Sequence, residues 1–344
     1  MGPTIKDVAK EAGVSITTVS RVLNQYSDVN PKTRTKVLKV VEQLGYQPNS
    51  VARSLVMKRT QTVGLVVSDL SRSRNGHHFM FDVLCGINDR VQELGYDLVL
   101  FSTSTTAQKK TPYMDFVRQR RVDGVLMMGI RLDDPYTHEV VEASVPSVLI
   151  DVPLVSDTCS YVTTDNVAGA TMAIQHLVEL GHRRIGFVNG HAQAAVSKER
   201  LQGYRMALEE AGIAYDPELV YYGNFEQQDG ATGVAELMEK FEDLSAVFFA
   251  SDLMALGGIK YLQSLQLRVP ERMSIVGYDD IELAAMMQPM LTTVRQTRYE
   301  MGQSAAETLI RMLEQNEKGR GIVLPPELVV RETTSKHGVN LSHI

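Results

Sequence analysis

Tryptophan is absent, cysteine occurs only at Cys85 and Cys159, and aromatic residues make up 6% of the chain. Two cysteines without a CxxC pair exclude a disulfide framework, and both are expected to be reduced core or interface residues. Without tryptophan, any stacking platform for a ligand has to use a phenylalanine or a tyrosine. No run of about 18 uninterrupted apolar residues occurs, so no membrane span is expected. The first residues contain no apolar export segment, which points to a cytoplasmic protein. Catalytic signatures are missing too: there is no GxGxxG after a strand, no GxxxxGK[ST], no GxSxG and no HExxH. His77 with His78, and His176 with His182, have no third ligand at a metal-binding spacing, so no metal and no cofactor are expected.

What is present is a chain of 344 residues with 44% hydrophobic content, enough for a substantial core in about two or three domains. Its charge is unevenly placed. Up to Thr60 there are ten basic and four acidic residues, a net +6; the overall charge of −6 leaves −12 to the remainder. A basic head on an acidic body suits a module that neutralises phosphates while the body stays off the polyanion.

The head opens with TIKDVAKEAGVSITTVSRVLN, Thr4 to Asn24. Ile5, Val8, Ala9 and Ala12 recur on one helical face, Gly13 interrupts, and Ser15 stands where an N-cap opens a second helix. This is a helix-turn-helix pattern. Val19, Val22 and Leu23 can pack on the first helix, leaving Thr17, Ser20, Arg21 and Asn24 on the opposite face. Hydroxyls, an amide and a guanidinium on a short exposed helix match what base edges in a major groove offer; an ordinary helical hairpin with a wet polar face is the alternative. Asn30 and Pro31 form an N-cap and N1 pair for a third helix that Gly45 ends. The stretch Ser50 to Met57 has helical character but is too short to be stable alone. It reads either as a helix that folds only against a partner or as a solvated linker.

From Thr62 onward short apolar runs (TVGLVV, 97–101, 124–128, 147–151) alternate with helix-like segments near 80–94, 111–121 and 134–144. After Asp165 the cycle repeats, with strands at 184–188, 219–223, 246–250 and 274–279 and helices near 166–180, 198–211, 229–240 and 253–264. The fold class expected is α/β: a small all-α head and two lobes of doubly wound parallel sheet. A last helix near 298–315 and strand-like pieces near 322–331 are compatible with either lobe. Ligands of such sheets sit outside the carboxyl ends of the strands, in the crevice between facing lobes. Candidates there are Ser68, Asp69, Asp151, Asp165, Asn166, Asn189, Ser251, Asp252, Asp279 and Asp280, with Arg200 nearby in sequence. Such a set suits a hydroxyl-rich ligand, although Asp165 and Asp252 each precede a helix and serve equally well as N-caps.

These residues resemble one family. TIKDVAKEAGVSITTVSRVLN, TRTKVLKVVEQLGYQPNSVARSL and VGLVVSDL, followed in order by VDGVLMM, VTTDNVAGA, HLVELGHRRIGFVNG, RLQGYRMAL, SDLMALGGI, VPERMSIVGYDD and PMLTTVRQ, are similar to the LacI/GalR bacterial transcription regulators. The resemblance runs from Thr4 to about Thr334. It implies a repressor that binds a near-palindromic double-stranded DNA operator as a homodimer, with Ile16, Thr17 and Arg21 choosing bases and Thr4, Ser15, Thr18, Ser20, Asn24, Asn49, Ala52 and Arg53 in the DNA-facing set. The segment 50–57 becomes a hinge helix on DNA that wedges Leu55 into the minor groove, where an apolar wedge that unstacks a step is offset by contacts of the bent duplex.

The same resemblance implies a periplasmic-binding-protein-like regulatory part with a small-molecule effector, most simply a sugar, between its lobes. The organisation expected is a helix-turn-helix domain at 1–47, hinge and linker at 48–61, an effector and dimerisation domain at 62–334 and a tail at 335–344. Crossings near Thr164, Thr292 and Ile322 give a first lobe of 62–163 with 293–321 and a second of 164–292 with 322–334. Effector positions carry over to Phe79, Asp165, Asn166, Arg200, Asp252, Asp279 and Gln296. Arg200 and Asp279 are expected to touch the ligand or, failing that, to form an ion pair across the cleft. The loop LSRSRNGHH before Phe79 is longer than the family's, and His77 and His78 in it are solvated, contact a sugar or sense pH. A nucleobase or nucleoside is the alternative effector. An enzyme on doubly wound lobes and a sugar receptor for transport are the alternatives from other classes.

Overall fold

The computed structural model describes residues 3–23, 26, 28–46, 60–68 and 77–338. They fall into two units, Met1–Gln61 and Thr62–Ile344.

The first unit holds α1 (Ile5–Ala12), α2 (Ile16–Leu23) and α3 (Pro31–Leu44). The Thr4 amide and hydroxyl both donate to the Asp7 carboxylate, at 2.8 and 2.7 Å, fixing the first turn of α1. Gly13 ends that helix at φ 61°, a conformation that costs glycine nothing. Ser15 opens α2 by accepting the Thr18 amide at 3.0 Å, and the Asn30 side chain opens α3 by accepting from Lys32 at 2.9 Å. Val8, Ala12, Val19, Val22, Val37 and Val40 close the core between the three helices. Each such buried valine contributes about 1.5–3 kcal/mol, so the short helices are held by packing and not by propensity.

The second unit begins with β1 (Thr62–Ser68), α4 (His77–Glu93), β2 (Asp97–Thr103), the short α5 (Thr105–Gln108), α6 (Tyr113–Arg120), β3 (Gly124–Met128), α7 (Pro135–Glu139), β4 (Ser147–Ile150) and β5 (Cys159–Thr164). It continues with α8 (Asn166–Glu179), β6 (Ile185–Asn189), α9 (Ala195–Glu210), β7 (Val220–Tyr222), α10 (Gln227–Lys240), β8 (Ala246–Phe249), α11 (Asp252–Ser264), β9 (Ser274–Asp279), α12 (Glu282–Met286) and β10 (Thr292–Arg295). The chain ends through α13 (Arg298–Gln315), β11 (Gly321–Leu324) and β12 (Glu327–Val329).

Two six-stranded sheets result, in the orders β11-β5-β4-β3-β1-β2 and β12-β10-β9-β8-β6-β7. All neighbours are parallel except β12, which runs antiparallel to β10. Side chains of the first sheet alternate between two cores. Leu65 and Val67 face α4 and α13 through Ile87, Met301 and Leu309, whereas Val66 and Met127 face Tyr113, Phe116 and Tyr136. Phe187, Phe248 and Ile275 of the second sheet pack under Ile174, Tyr204, Leu237 and Leu262. Helices α4 and α13 touch backbone to backbone: a Cβ on Gly86 would lie 2.0 Å from the Tyr299 carbonyl oxygen, and one on Gly302 2.1 Å from that of Val83. Among the described residues no helix is long and apolar enough to cross a membrane.

Two of the three crossings differ from the expected positions. The first falls after Thr164, but β10, Thr292–Arg295, pairs with β9 in the second sheet, so the second crossing lies at Gln296 and Thr297. Likewise β11, Gly321–Leu324, pairs with β5 in the first sheet, and the third crossing lies at Pro325 and Pro326. Segments of four residues carry too little periodicity to choose a sheet; their hydrogen-bonded neighbours make the choice. Helix α4 begins at His77, so both histidines expected in a loop belong to its first turn. The helix expected over 134–144 is confined to Pro135–Glu139.

Candidate functional site

In the first unit, the exposed face of α2 carries Ile16, Thr17 and Arg21, with Ile16 44% exposed. Thr4, Ser15 and Thr18 also make the hydrogen bonds that open α1 and α2. Thr4 is the N-cap partner of Asp7, whose carboxyl it keeps below the usual range, and Ser15 and Thr18 share a hydroxyl–hydroxyl bond of 2.9 Å at the start of α2. Ser20 is half-buried. The Arg21 guanidinium is paired with the Asp28 carboxylate and lies 5.2 Å from the Tyr26 ring centroid. Neither partner was expected from the helix pattern, because both follow α2 and only the turn toward α3 brings them back. Asn24, Asn49, Ala52, Arg53 and Leu55 lie outside the described residues.

In the second unit, a cavity of about 260 Å³ opens at the carboxyl ends of the strands of both sheets. The first sheet and α4 supply Ser68, Phe79, Met80, Met128, Arg131, Ile150 and Asp151; the second supplies His191, Arg200, Phe225, Glu226, Ser251, Leu253, Asp279 and Ile281. Parallel strands bring their carboxyl ends to one side, which is why residues so far apart in sequence meet here.

Arg200 is 3% exposed. Its Nε donates to Asn166 Oδ1 at 2.9 Å, one Nη donates to the Ala250 carbonyl, and its guanidinium carbon stands 3.7 Å from the Tyr278 ring centroid. A planar cation so fixed presents its remaining donors in one direction. Asp279 ends β9 with φ 116°, and Asp280 follows at φ 53°. Two successive non-glycine residues of this kind cost about 1–3 kcal/mol each and persist only where the surroundings hold them. Gln296 donates to the Asp279 carboxylate at 2.7 Å. Burial pushes that carboxyl up to about 6, against the opposing pull of Arg200, Arg298 and Gln296. Asp151, at φ 63°, is also raised by burial and accepts the Thr163 hydroxyl at 2.9 Å.

Of the seven expected effector residues, the structure brings Phe79, Arg200 and Asp279 to the cavity wall. Asn166 and Gln296 stand behind them, Asn166 bonded to Arg200 and Gln296 to Asp279. Asp165 and Asp252 are not among the wall residues. Asp165 is the N-cap of α8, accepting the Ala168 amide at 2.9 Å. Asp252 is fully buried and ties α11 to the turn after β9 and to β10, accepting the Ile281 amide at 2.9 Å and the Thr293 hydroxyl. Burial and the neighbouring Asp279 raise its carboxyl well above the ordinary range. An Arg200–Asp279 pair across the cleft does not form. Both side chains come from the second sheet's side, and among the described residues no ion pair joins them.

Phe225 was not expected. Its ring lies on Gly190, where a Cβ would sit 1.9 Å from the ring edge. A glycine opposed to an aromatic 35 positions on leaves no local trace in the sequence.

A helix-turn-helix head joined in one chain to a two-lobed α/β unit is the architecture of a DNA-binding regulator. Residues 4–49 match the family described as bacterial regulatory proteins, lacI family, and residues 174–334 match the periplasmic binding protein-like domain. The chain is 39% identical over 334 residues to the HTH-type transcriptional regulator CelR of Thermobifida fusca, covering 96% of this chain and 98% of that one. It is 37% identical over 336 residues to the HTH-type transcriptional repressor PurR of Vibrio vulnificus, covering 97% and 99%. Among solved structures it resembles a CelR–cellobiose complex, with TM-score 0.74, 37% identity and coverage of 96% and 99%. It also resembles a lac repressor dimer bound to operator and an anti-inducer, with TM-score 0.79, 28% identity and coverage of 97% and 100%. The chain belongs to the lacI family of bacterial regulatory proteins and is a transcriptional repressor of that family, not an enzyme.

Proposed function

We propose that this repressor grips a near-palindromic operator as a homodimer and is controlled by an uncharged sugar in the interlobe cleft. The observation that carries the sugar reading is that the Arg200 guanidinium and the Asp151 and Asp279 carboxylates line one cavity together with the apolar side chains of Phe79, Met128, Ile150 and Phe225. A sugar ring offers hydroxyls at its rim and C–H groups on its faces. Carboxylates accept the hydroxyls, the guanidinium donates to their oxygens, and the rings cover the C–H faces. The relative crystallised with cellobiose makes that disaccharide the first probe.

The operator contacts assigned to Ile16, Thr17 and Arg21 rest on their exposure along α2. The hinge at 50–57 with its Leu55 wedge rests on the sequence alone. Effector binding changes lobe closure and thereby the spacing of the two hinges. A coupling of about 1–3 kcal/mol suffices to change operator affinity roughly 5- to 150-fold.

The test is a thermal-shift and calorimetry screen of the full chain against cellobiose, glucose, ribose, adenine and guanine, followed by operator titration on a duplex selected from a random pool. Cellobiose or another neutral sugar is expected to raise the unfolding temperature, because a ligand bound only to the native state stabilises it. Arg200→Ala is expected to remove that response while apo operator binding persists. Two phenylalanines on the cavity wall, and the PurR relative, favour a purine as the second reading. Stabilisation by adenine or guanine with none by sugars would replace the first reading by the second.

A further inference from the structure

The strained Asp279–Asp280 turn carries a ligand-facing carboxylate, and something has to hold its two carbonyls in place. The group that does so comes from the other lobe. Arg298 is the first residue of α13, whose body packs on the first sheet and on α4. Its side chain is only 11% exposed. One Nη donates to the Asp279 carbonyl at 2.8 Å and the other to the Asp280 carbonyl at 3.2 Å. On its opposite edge, Nε and Nη2 both reach Asp82 Oδ2, at 2.9 and 2.8 Å. Asp82 lies on α4, one helical turn after the cavity-lining Phe79. The Asp280 carboxylate is meanwhile occupied by Arg295 at 2.7 Å and Arg331 at 2.6 Å, so the turn is clamped on its own lobe as well.

We propose that Arg298 is a positioning residue that holds the Asp279–Asp280 turn in its ligand-facing form and couples it to α4 through Asp82. The inference rests on the reading of this cleft as the effector site. A ligand that draws on the Asp279 carboxylate shifts the turn, the turn's carbonyls move the guanidinium, and the guanidinium carries the displacement to α4. The planar fork is what permits this. Three nitrogens in one rigid plane meet two carbonyls and a carboxylate together, whereas a lysine ammonium on a flexible stem cannot keep all three partners. The α4–α13 backbone contact at Gly86 and Gly302 leaves little play between the two helices, so a displacement at the first turn of α13 is shared by α4.

The test is made on the full chain with Asp82→Asn, Arg298→Lys and Arg298→Ala. Its first arm needs no ligand. Hydrogen exchange of the segment 279–284, where the Ile281 amide is bonded to Asp252, is expected to quicken at least about threefold in Asp82→Asn, although the substitution lies in the opposite lobe. Exchange at wild-type rate in that segment would overturn the proposal. The second arm measures operator affinity with and without saturating cellobiose. Asp82→Asn is expected to bind cellobiose within about threefold of wild type while the effector's influence on operator affinity shrinks at least about fivefold. Arg298→Lys is expected to lose both, and Arg298→Ala to follow it unless it fails to fold, in which case Asp82→Asn decides. An undiminished effector influence in Asp82→Asn would overturn the coupling. If wild-type protein does not respond to cellobiose, the second arm is run with the neutral sugar that stabilises it in the screen; if no sugar does, the sugar reading falls and the exchange arm alone decides the role of Arg298.

Discussion

Burial of Asp279 favours its acid form, while a hydroxyl-rich ligand needs its ionised form as an acceptor, so proton and ligand compete for one side chain. The unfolded carboxyl ionises near its ordinary value of 3.8 and the folded one near about 6. Between these values the native state holds a proton that the unfolded state has released, so this group's stabilisation is full below about pH 4 and is lost as pH rises through about 6. Asp151, Asp252 and Glu199 are shifted the same way by burial. Asp279→Asn is therefore expected to unfold at a higher temperature than wild type above pH 6, by the equivalent of about 1–3 kcal/mol, with the gap closing toward pH 4. Sugar affinity is expected to run the other way, falling up to about tenfold per unit as pH drops below 6. Thermal unfolding and calorimetry across pH 4–8 check both signs. A gap that widens toward acid pH would show that Asp279 is ionised throughout.

Among the elements, those built from local signals are the ones that sequence reads best. The caps at Ser15 and Asn30 and the left-handed stops at Gly13 and Gly45 each depend on four or five consecutive residues, and each is found where the pattern places it. The strand-to-helix alternation is equally plain, because continuous apolar runs such as Thr62–Ser68 are buried on both faces. What the sequence withholds is pairing at a distance. The sheet to which β10 or β11 belongs, the support that Asn166 gives Arg200, and the seat of Phe225 on Gly190 depend on partners from 16 to 160 residues away. Asp279 was readable as a cavity residue because strand ends gather at the cleft, and Arg200, which lies within α9, only through the family resemblance; Asp165 and Asp252 occupy similar positions but spend their oxygens on the Ala168 and Ile281 amides and the Thr293 hydroxyl. A methyl at Gly86 would overlap the Tyr299 carbonyl and force α4 and α13 apart. Gly86→Ala is expected to cost about 1–3 kcal/mol despite alanine's better helix propensity. Urea denaturation reads this directly, and a variant as stable as wild type would mean that the helices separate without penalty.

At the scale of the whole molecule the apolar surface is placed where a monomer gains nothing from it. Strand β2 is an open edge of the first sheet, with Val99 39% and Leu100 47% exposed, and Phe81 on α4 is 63% exposed. On the second lobe Tyr222 of edge strand β7 and Met286 of α12 are also exposed. Edges left long, apolar and uncovered invite pairing with a second copy, and a closed two-fold arrangement presents the same patch of both copies to each other. Such a dimer converts the second head's encounter with its half-site into an intramolecular step, worth about 10²–10⁴ in affinity without any new contact to bases. Phe81→Glu combined with Leu100→Glu is therefore expected to sediment as a monomer with its cores intact, since neither side chain belongs to them. The monomer should lose at least about a hundredfold in operator affinity, while affinity for unrelated duplex, carried by phosphate contacts of single heads, falls far less. Sedimentation velocity and operator titration at fixed salt separate the outcomes. A variant that stays dimeric moves the interface elsewhere on the body. A monomer that holds the operator at full strength removes the dimer from recognition altogether, and with it any means by which lobe closure sets the spacing of two hinges.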